Sequence, residues 1–277
     1  MTSSVGSVPE REEPEVSPLL APIGDLGAAV LDLLDGARGL YSVFVRTLYY
    51  LVRGRREKGA IVAQMYEIGN KSLFFLTVVM GFIGMILVFQ AGIQAKRVIP
   101  DLTLLGATYM ELLVRDLAAS IGALMLATRV GAGIAAEIGS MVVTEQVDAL
   151  RMCAADPIDF LIKPRLVASI VMTTTLVIWS AFVAFMSGMM TAYSFFDVAP
   201  LTFFNVSLVD AGDLTVGLTK CVAYGAAIPI VSGYCGLSTF GGSEGVGWAT
   251  TRAVVNSSLA VIILNFFISG AGIVVFP

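Results

Sequence analysis

Histidine does not occur in this chain. Its absence removes the side chain best suited to moving protons near neutral pH, the commonest metal ligand, and the base of any Ser/His/Asp or Cys/His constellation. Charge is scarce too: Asp, Glu, Lys and Arg make up 14% of 277 residues, where a soluble domain carries about 25%. The net charge is only −4, and much of the acid lies in the first 35 residues, so no basic surface is left for nucleic acid. Cysteine is limited to Cys153, Cys221 and Cys235, without metal-ligand spacing. Cys221 and Cys235 fall in one predicted helix, roughly 21 Å apart at 1.5 Å per residue, and cannot bridge within it. All three read as small apolar core residues. A Gly-x-x-x-x-Gly-Lys-Ser/Thr phosphate loop is also missing, so the chain has no means of using ATP through that motif.

What is there is apolar. Hydrophobic residues make up 57% of the chain and the mean hydropathy is +0.86, which predicts an all-α, polytopic membrane protein. Residues 1–22 are rich in Pro, Ser and Glu, lack the basic and apolar regions of a signal peptide, and read as a disordered cytoplasmic tail ahead of one domain, 23–277. From about Asp25 to Val52 apolar residues recur at helical spacing, while Asp25, Asp32, Gly39, Arg46 and Arg53 follow every seven residues on another side. A helix with one apolar and one charged face is expected to lie along the membrane surface as an interfacial elbow. The basic cluster Arg53, Arg55, Arg56 and Lys58 follows.

Five apolar stretches near the ~20 residues needed to cross ~30 Å of hydrocarbon are predicted at about 72–95, 103–127, 166–191, 213–237 and 254–275. Lys and Arg gather before the first span and in the second connection (Arg129, Arg151, Lys163, Arg165), with Arg252 in the fourth. The third connection has none, and only Lys96 and Arg97 dissent. This bias predicts a cytoplasmic N-terminus and a periplasmic or external C-terminus.

Charges inside apolar spans are costly unless paired or wet. In the second span Glu111 and Arg115 stand four apart and are placed to pair. Asp116 points about 100° away from Arg115 and has no evident local partner. A water-filled cavity, a polar lipid head or a packing hydrogen bond to another helix each accounts for it. Gln90 and Gln94 share a face of the first span and fit either the same cavity or an interfacial position. Lys220 reads as snorkelling to the nearer interface. Gly81, Gly84, Gly92, Gly106 and Gly122 suit close helix approach.

The connection from about 128 to 165 is long and populated by helix formers. Ile138, Met141, Val142, Val147, Leu150 and Met152 alternate there with Glu137, Glu145, Asp148 and Arg151, predicting a short amphipathic helix within 131–156. Such a helix is what a permease needs to receive a push from a nucleotide-binding partner, although an unpartnered surface helix fits the pattern nearly as well.

Three blocks of sequence carry a resemblance. The first is Ala136-Glu137-Ile138-Gly139-Ser140-Met141, Thr144-Glu145-Gln146-Val147-Asp148-Ala149-Leu150 and Ala155-Asp156-Pro157. The second is Glu244-Gly245-Val246-Gly247 with Ala249-Thr250-Thr251-Arg252-Ala253-Val254-Val255 and Ser257-Ser258, and the third runs from Phe82-Ile83-Gly84-Met85 to Gln90. In this order and spacing, from about residue 40 to the end, the chain resembles the MlaE/YrbE family of permeases.

The resemblance implies a homodimer that binds two copies of a separate ABC-type ATPase, with ATP and Mg held by that partner and no cofactor in this chain. It implies movement of phospholipid or other lipid between the bacterial inner membrane and periplasmic MCE-domain proteins, by an elbow helix, five spans and a cytoplasmic coupling helix. On matching positions, Leu87, Gln94, Asp116 and Leu117 would line an outward-facing lipid cavity, joined by Gln90 and Arg115 beside them. Glu137, Gly139, Met141, Glu145, Gln146, Asp148 and Leu150 would form the ATPase-coupling segment. The chain departs from the family where Arg115-Asp116-Leu117-Ala118-Ala119 replaces Arg-Glu-Leu-Gly-Pro, and where Asn265 stands in place of a frequent Asp. Two other readings compete: a secondary transporter with Asp116 as its coupling site, and a non-transporting membrane scaffold.

Overall fold

A bilayer offers the backbone no water to bond, so a chain this apolar satisfies its amides within helices. In the computed structural model, which describes residues 21–53, 58–98 and 103–275, every regular element is helical. Residues 1–20 of the predicted tail, and Arg55 and Arg56 of the basic cluster, lie outside the described residues. The chain forms two units, 1–42 and 43–277, and helix α1 (Ala21–Arg53) runs through the boundary.

Five stretches are long and apolar enough to cross a membrane: Gly59–Arg97, Leu105–Val143, Ile158–Phe196, Ala211–Leu237 and Gly242–Val275. The first lies in α2 (Lys58–Val98). The second is a continuous rod of α3 (Leu105–Leu112), α4 (Ala118–Leu126) and α5 (Ala132–Val143), joined by π-helical turns at Leu113–Leu117 and Ala127–Gly131. After the short α6 (Gln146–Met152), a π turn at Ile158–Ile162 leads directly into α7 (Lys163–Phe196). The one-turn α8 (Pro200–Phe203), α9 (Ala211–Leu237) and α10 (Gly242–Val275) complete the chain.

Four of these helices outrun the windows read from hydropathy by about two to four turns, all on the side where α5 ends. Hydropathy sees only the part of a helix immersed in hydrocarbon; polar residues continue the same hydrogen-bond ladder beyond it. The long second connection therefore shrinks from 128–165 to residues 144–157, and its amphipathic helix is only the two turns of α6.

α2 packs along α7, α7 along α9 and α9 along α10, while the second span lies across α7, α9 and α10. Of the most apolar stretch of α9, 56% is buried, against 11% in α10. Two glycines permit close backbone approaches between spans. A Cβ at Gly84 would stand 2.3 Å from the Ala184 carbonyl oxygen, and one at Gly217 would stand 2.5 Å from the Val114 carbonyl oxygen in the first π turn. At the end of α1, Val43, Arg46, Thr47 and Tyr50 form the inward face, with Val43 and Thr47 buried. Phe44, Val45, Leu48 and Val52 stay exposed there, leaving an apolar stripe uncovered.

Candidate functional site

Two constellations stand out, one inside the spans and one at the hairpin formed by α5 and α6. The first grows from the π turn Leu113–Leu117, whose wider backbone ring frees the Val114 carbonyl to meet α9 and carries Arg115 and Asp116. Arg115 Nη1 donates to Asp213 Oδ1 at 3.0 Å. The Lys220 ammonium donates to Asp116 Oδ1 and, at 2.7 Å, to Ser269 Oγ. Ser120 Oγ donates to the same Asp116 oxygen at 2.9 Å. Tyr224 and Ser269 hydroxyls both donate to Asn265 Oδ1, at 3.0 and 3.2 Å. The two acids and two bases sum to zero charge, and the hydrogen bonds fasten the second span to α9 and α10.

Of the readings left open for Asp116, the structure shows a packing contact to another helix, from Lys220, beside a local hydrogen bond from Ser120. Two further expectations are corrected. Lys220 does not snorkel: its side chain is 1% exposed, and its ammonium is held between Asp116 in the π turn and Ser269 on α10. Arg115 turns to Asp213 in place of Glu111. The reason is tertiary: two adjacent residues point to different neighbours, and α9 supplies a counter-charge at each. A signal for this was present, because Asp213, Lys220 and Tyr224 are spaced 7 and 4 apart and share one face of α9. Asp213 has a second task, accepting the Asp210 backbone N–H at 3.1 Å in the capping box that starts α9.

The other residues assigned to a cavity stand apart from this network. Leu87 is half-buried on α2, Gln90 and Gln94 are exposed on it, and Leu117 is half-buried in the π turn. The polar contacts of Arg115 and Asp116 run to α9, not toward these amides.

The hairpin is the second constellation. α5 stops at Val143, Thr144 Oγ1 bonds back to the Ser140 carbonyl at 2.8 Å, and Glu145 turns the chain in the left-handed region at φ 60°. Glu145, Gln146 and Asp148 are exposed around the turn, Met141 and Leu150 are half-buried, and Val147 anchors α6 inward. Gly139 is buried, with Thr239 Oγ1 only 2.9 Å from where a Cβ would stand. Glu137 is exposed, yet its carboxylate accepts a 2.7 Å bond from Arg165, a side chain that is buried and also caps the Leu161 carbonyl.

Asp156 closes the far end. Its carboxylate accepts Arg46 Nη2 at 2.6 Å, the Tyr50 hydroxyl at 2.9 Å and the Ile158 N–H at 3.0 Å. Donation to Asp156 raises the Tyr50 phenol above its ordinary range. Asp156 thus clasps the end of α1 to the start of the third span. Sequence reasoning missed Arg165 as the partner of Glu137, and Arg46 and Tyr50 as the partners of Asp156, although Ala155-Asp156-Pro157 marked the place. Cys153, expected in the core, is exposed beside α6, whereas Cys221 and Cys235 are buried in α9.

Comparison with known proteins bears on the chain's family. The family described as Permease MlaE matches residues 61–271. A probable ABC transporter permease protein of Synechocystis sp. is 37% identical over 224 residues, covering 79% of this chain and 84% of the relative. The intermembrane phospholipid transport system permease protein MlaE of Haemophilus influenzae is 32% identical over 260 residues, covering 90% and 98%. The chloroplastic protein TRIGALACTOSYLDIACYLGLYCEROL 1 of Arabidopsis thaliana is 31% identical over 233 residues, covering 80% of this chain and 65% of its own. With a match that runs from the start of the first span nearly to the end of the fifth, the chain belongs to the MlaE family of permeases.

Proposed function

We infer that this permease is the membrane subunit of an ABC transporter that moves phospholipid or a related lipid between the bacterial inner membrane and periplasmic MCE-domain carriers. A separate ATPase, in two copies, binds ATP and Mg and drives two copies of this chain. The N-terminus faces the cytoplasm, α1 lies along the membrane surface, and the C-terminus faces the periplasm. The relatives named for ABC transport and for intermembrane phospholipid transport support this reading.

The observation that carries it is the α5–α6 hairpin. It offers Glu145, Gln146 and Asp148 outward while two polar joints tie its roots to the spans: Glu137 to Arg165, and Asp156 to Arg46 and Tyr50. A push on the exposed turn travels up α5, which is one rod with the second span, and through Arg165 into α7. Closure of the ATPase pair would move both hairpins and collapse an outward cavity built between the two copies from Leu87, Gln90, Gln94, Arg115, Asp116 and Leu117. A difference in lipid affinity between the two cavity states is what transfers the lipid.

Against the ion-coupled alternative, the Asp116 carboxylate is already engaged by Lys220 and Ser120. The test is charge reversal at the turn, Glu145→Lys with Asp148→Lys, in the purified complex with its ATPase. Lipid-stimulated ATP hydrolysis should drop by about tenfold or more while the complex still elutes intact. Unchanged hydrolysis in a bound complex would remove the hairpin from the coupling path.

A further inference from the structure

A cavity of about 530 Å³ opens between the lower part of α2 and the rod of the second span, away from the charge network. Gln64, Glu67 and Lys71 line it from α2, and Arg129, Gly133 and Glu137 from the other side. Ile68, Val130 and Ile134 complete it with apolar surface.

Its depth follows from α2. Lys71 is the last charge before an uncharged run from Leu73 to Phe89, apolar except at Thr77, roughly 26 Å at 1.5 Å per residue and close to the ~30 Å of a hydrocarbon core. Arg129 Nη1 donates to Ser72 Oγ at 2.6 Å, so its guanidinium sits at the edge of that run, on the hairpin side. This is the level at which a lipid phosphate resides.

Its lining holds two acids and two bases, but they do not all pair with one another. Lys71 pairs with Glu67, and Glu137 with Arg165. Arg129 forms no ion pair among the described residues and spends one N–H on a neutral hydroxyl, out of the five that a guanidinium carries. It is half-buried, and it stands in the π turn Ala127–Gly131, an irregularity that the hairpin and the charge network leave unused. Gly133 leaves a gap in the wall: a Cβ there would meet nothing within 4 Å.

We propose that this cavity is a binding site for the phosphodiester of a glycerophospholipid in the leaflet on the hairpin side. Arg129 and the Gln64 amide hold the phosphate, and Ile68, Val130 and Ile134 receive the glycerol end of the acyl chains. The carboxylates of Glu67 and Glu137 in the wall tolerate a singly charged phosphodiester and repel a dianion, which favours a lipid over free phosphate. The site stands apart from the transport reading, since it requires only that the helices cross a bilayer.

The test titrates the full-length protein in detergent with dioctanoyl phosphatidylglycerol, dioctanoylglycerol and inorganic phosphate, following binding by thermal stabilisation. The phospholipid should bind saturably, with dioctanoylglycerol at least about tenfold weaker for loss of the charge-assisted contact, and inorganic phosphate likewise for loss of the apolar contacts and repulsion by the wall carboxylates. Gly133→Leu fills the gap without touching a polar group and should weaken phospholipid binding by about tenfold or more, as should Arg129→Gln. An unshifted melting curve for ligand-free Gly133→Leu shows that it folds. Equal phospholipid binding by wild type and Gly133→Leu overturns the site. Equal binding of dioctanoylglycerol reduces it to an apolar groove, and equal binding of inorganic phosphate to a soluble-anion pocket; either result overturns the proposal. The readout is binding alone, so a failed transport assay leaves it standing.

Discussion

The charge network within the spans and the clasps at the hairpin use the same groups, acids against Lys and Arg, in different surroundings. Lys220 is 1% exposed and Asp213 6%, while their partners Asp116 and Arg115 are 39% and 30% exposed, so each pair has one deeply buried member. Arg46 is 54% exposed, and the Asp148–Arg151 pair of α6 is more than half exposed at both ends. In the first setting a broken pair leaves a stranded charge in a low-dielectric medium. In the second, water takes the lost partner's place. Register inside the spans is therefore held tightly, while the hairpin is fastened loosely enough to move.

The largest test of this contrast is Lys220→Met. It leaves Asp116 without its cation and should destabilise the detergent-purified protein by about 2–3 kcal/mol, below the cost for a fully buried pair because Asp116 is 39% exposed and keeps Ser120. The double variant Lys220→Met with Asp116→Leu removes both charges and should regain most of the loss, as chemical or thermal unfolding will report. If the single variant melts like wild type, the network is not a buried pair. Arg115→Met should cost less, about 2 kcal/mol, because Asp213 keeps the Asp210 N–H and the favourable field of a helix start.

Arg165→Met sharpens the comparison where buried meets wet: its guanidinium is buried while its partner Glu137 is exposed, and a loss of about 1–2 kcal/mol is expected. Asp156→Asn keeps the acceptor for Ile158 and loses the ion pair to Arg46, for about 0.5–1 kcal/mol. Smallest is Asp148→Ala, whose exposed pair to Arg151 should contribute under about 0.5 kcal/mol. A large loss there would mean that α6 is held by more than Val147 and the turn.

Particular residues show how far the sequence could be read. The five spans were legible because a hydrocarbon core imposes length and apolarity on any helix that crosses it. Their true ends were not, since helix continues into water without a hydropathy signal, as α5 does to Val143. Asp116 was recognised as a residue needing explanation, and its explanation, Lys220, was recognised separately as a stray cation. Joining them required knowing that α9 lies against the second span at that height, and a spacing within one helix does not carry that. Arg165 looked like one more cytoplasmic positive charge and is a buried joint.

The amino-acid order by itself determined a helical membrane protein, the number of its spans, the place of the hairpin, and membership of its family. These are local properties: transfer free energy summed along a segment, and motifs contiguous in the chain. Tertiary structure alone decided which charge meets which, that Arg129 is left with a neutral partner, and that π turns put Arg115, Asp116 and Arg129 where they stand. Those outcomes depend on the rotation and height of one helix against another, which packing across residues about a hundred positions apart sets, as between Asp116 and Lys220.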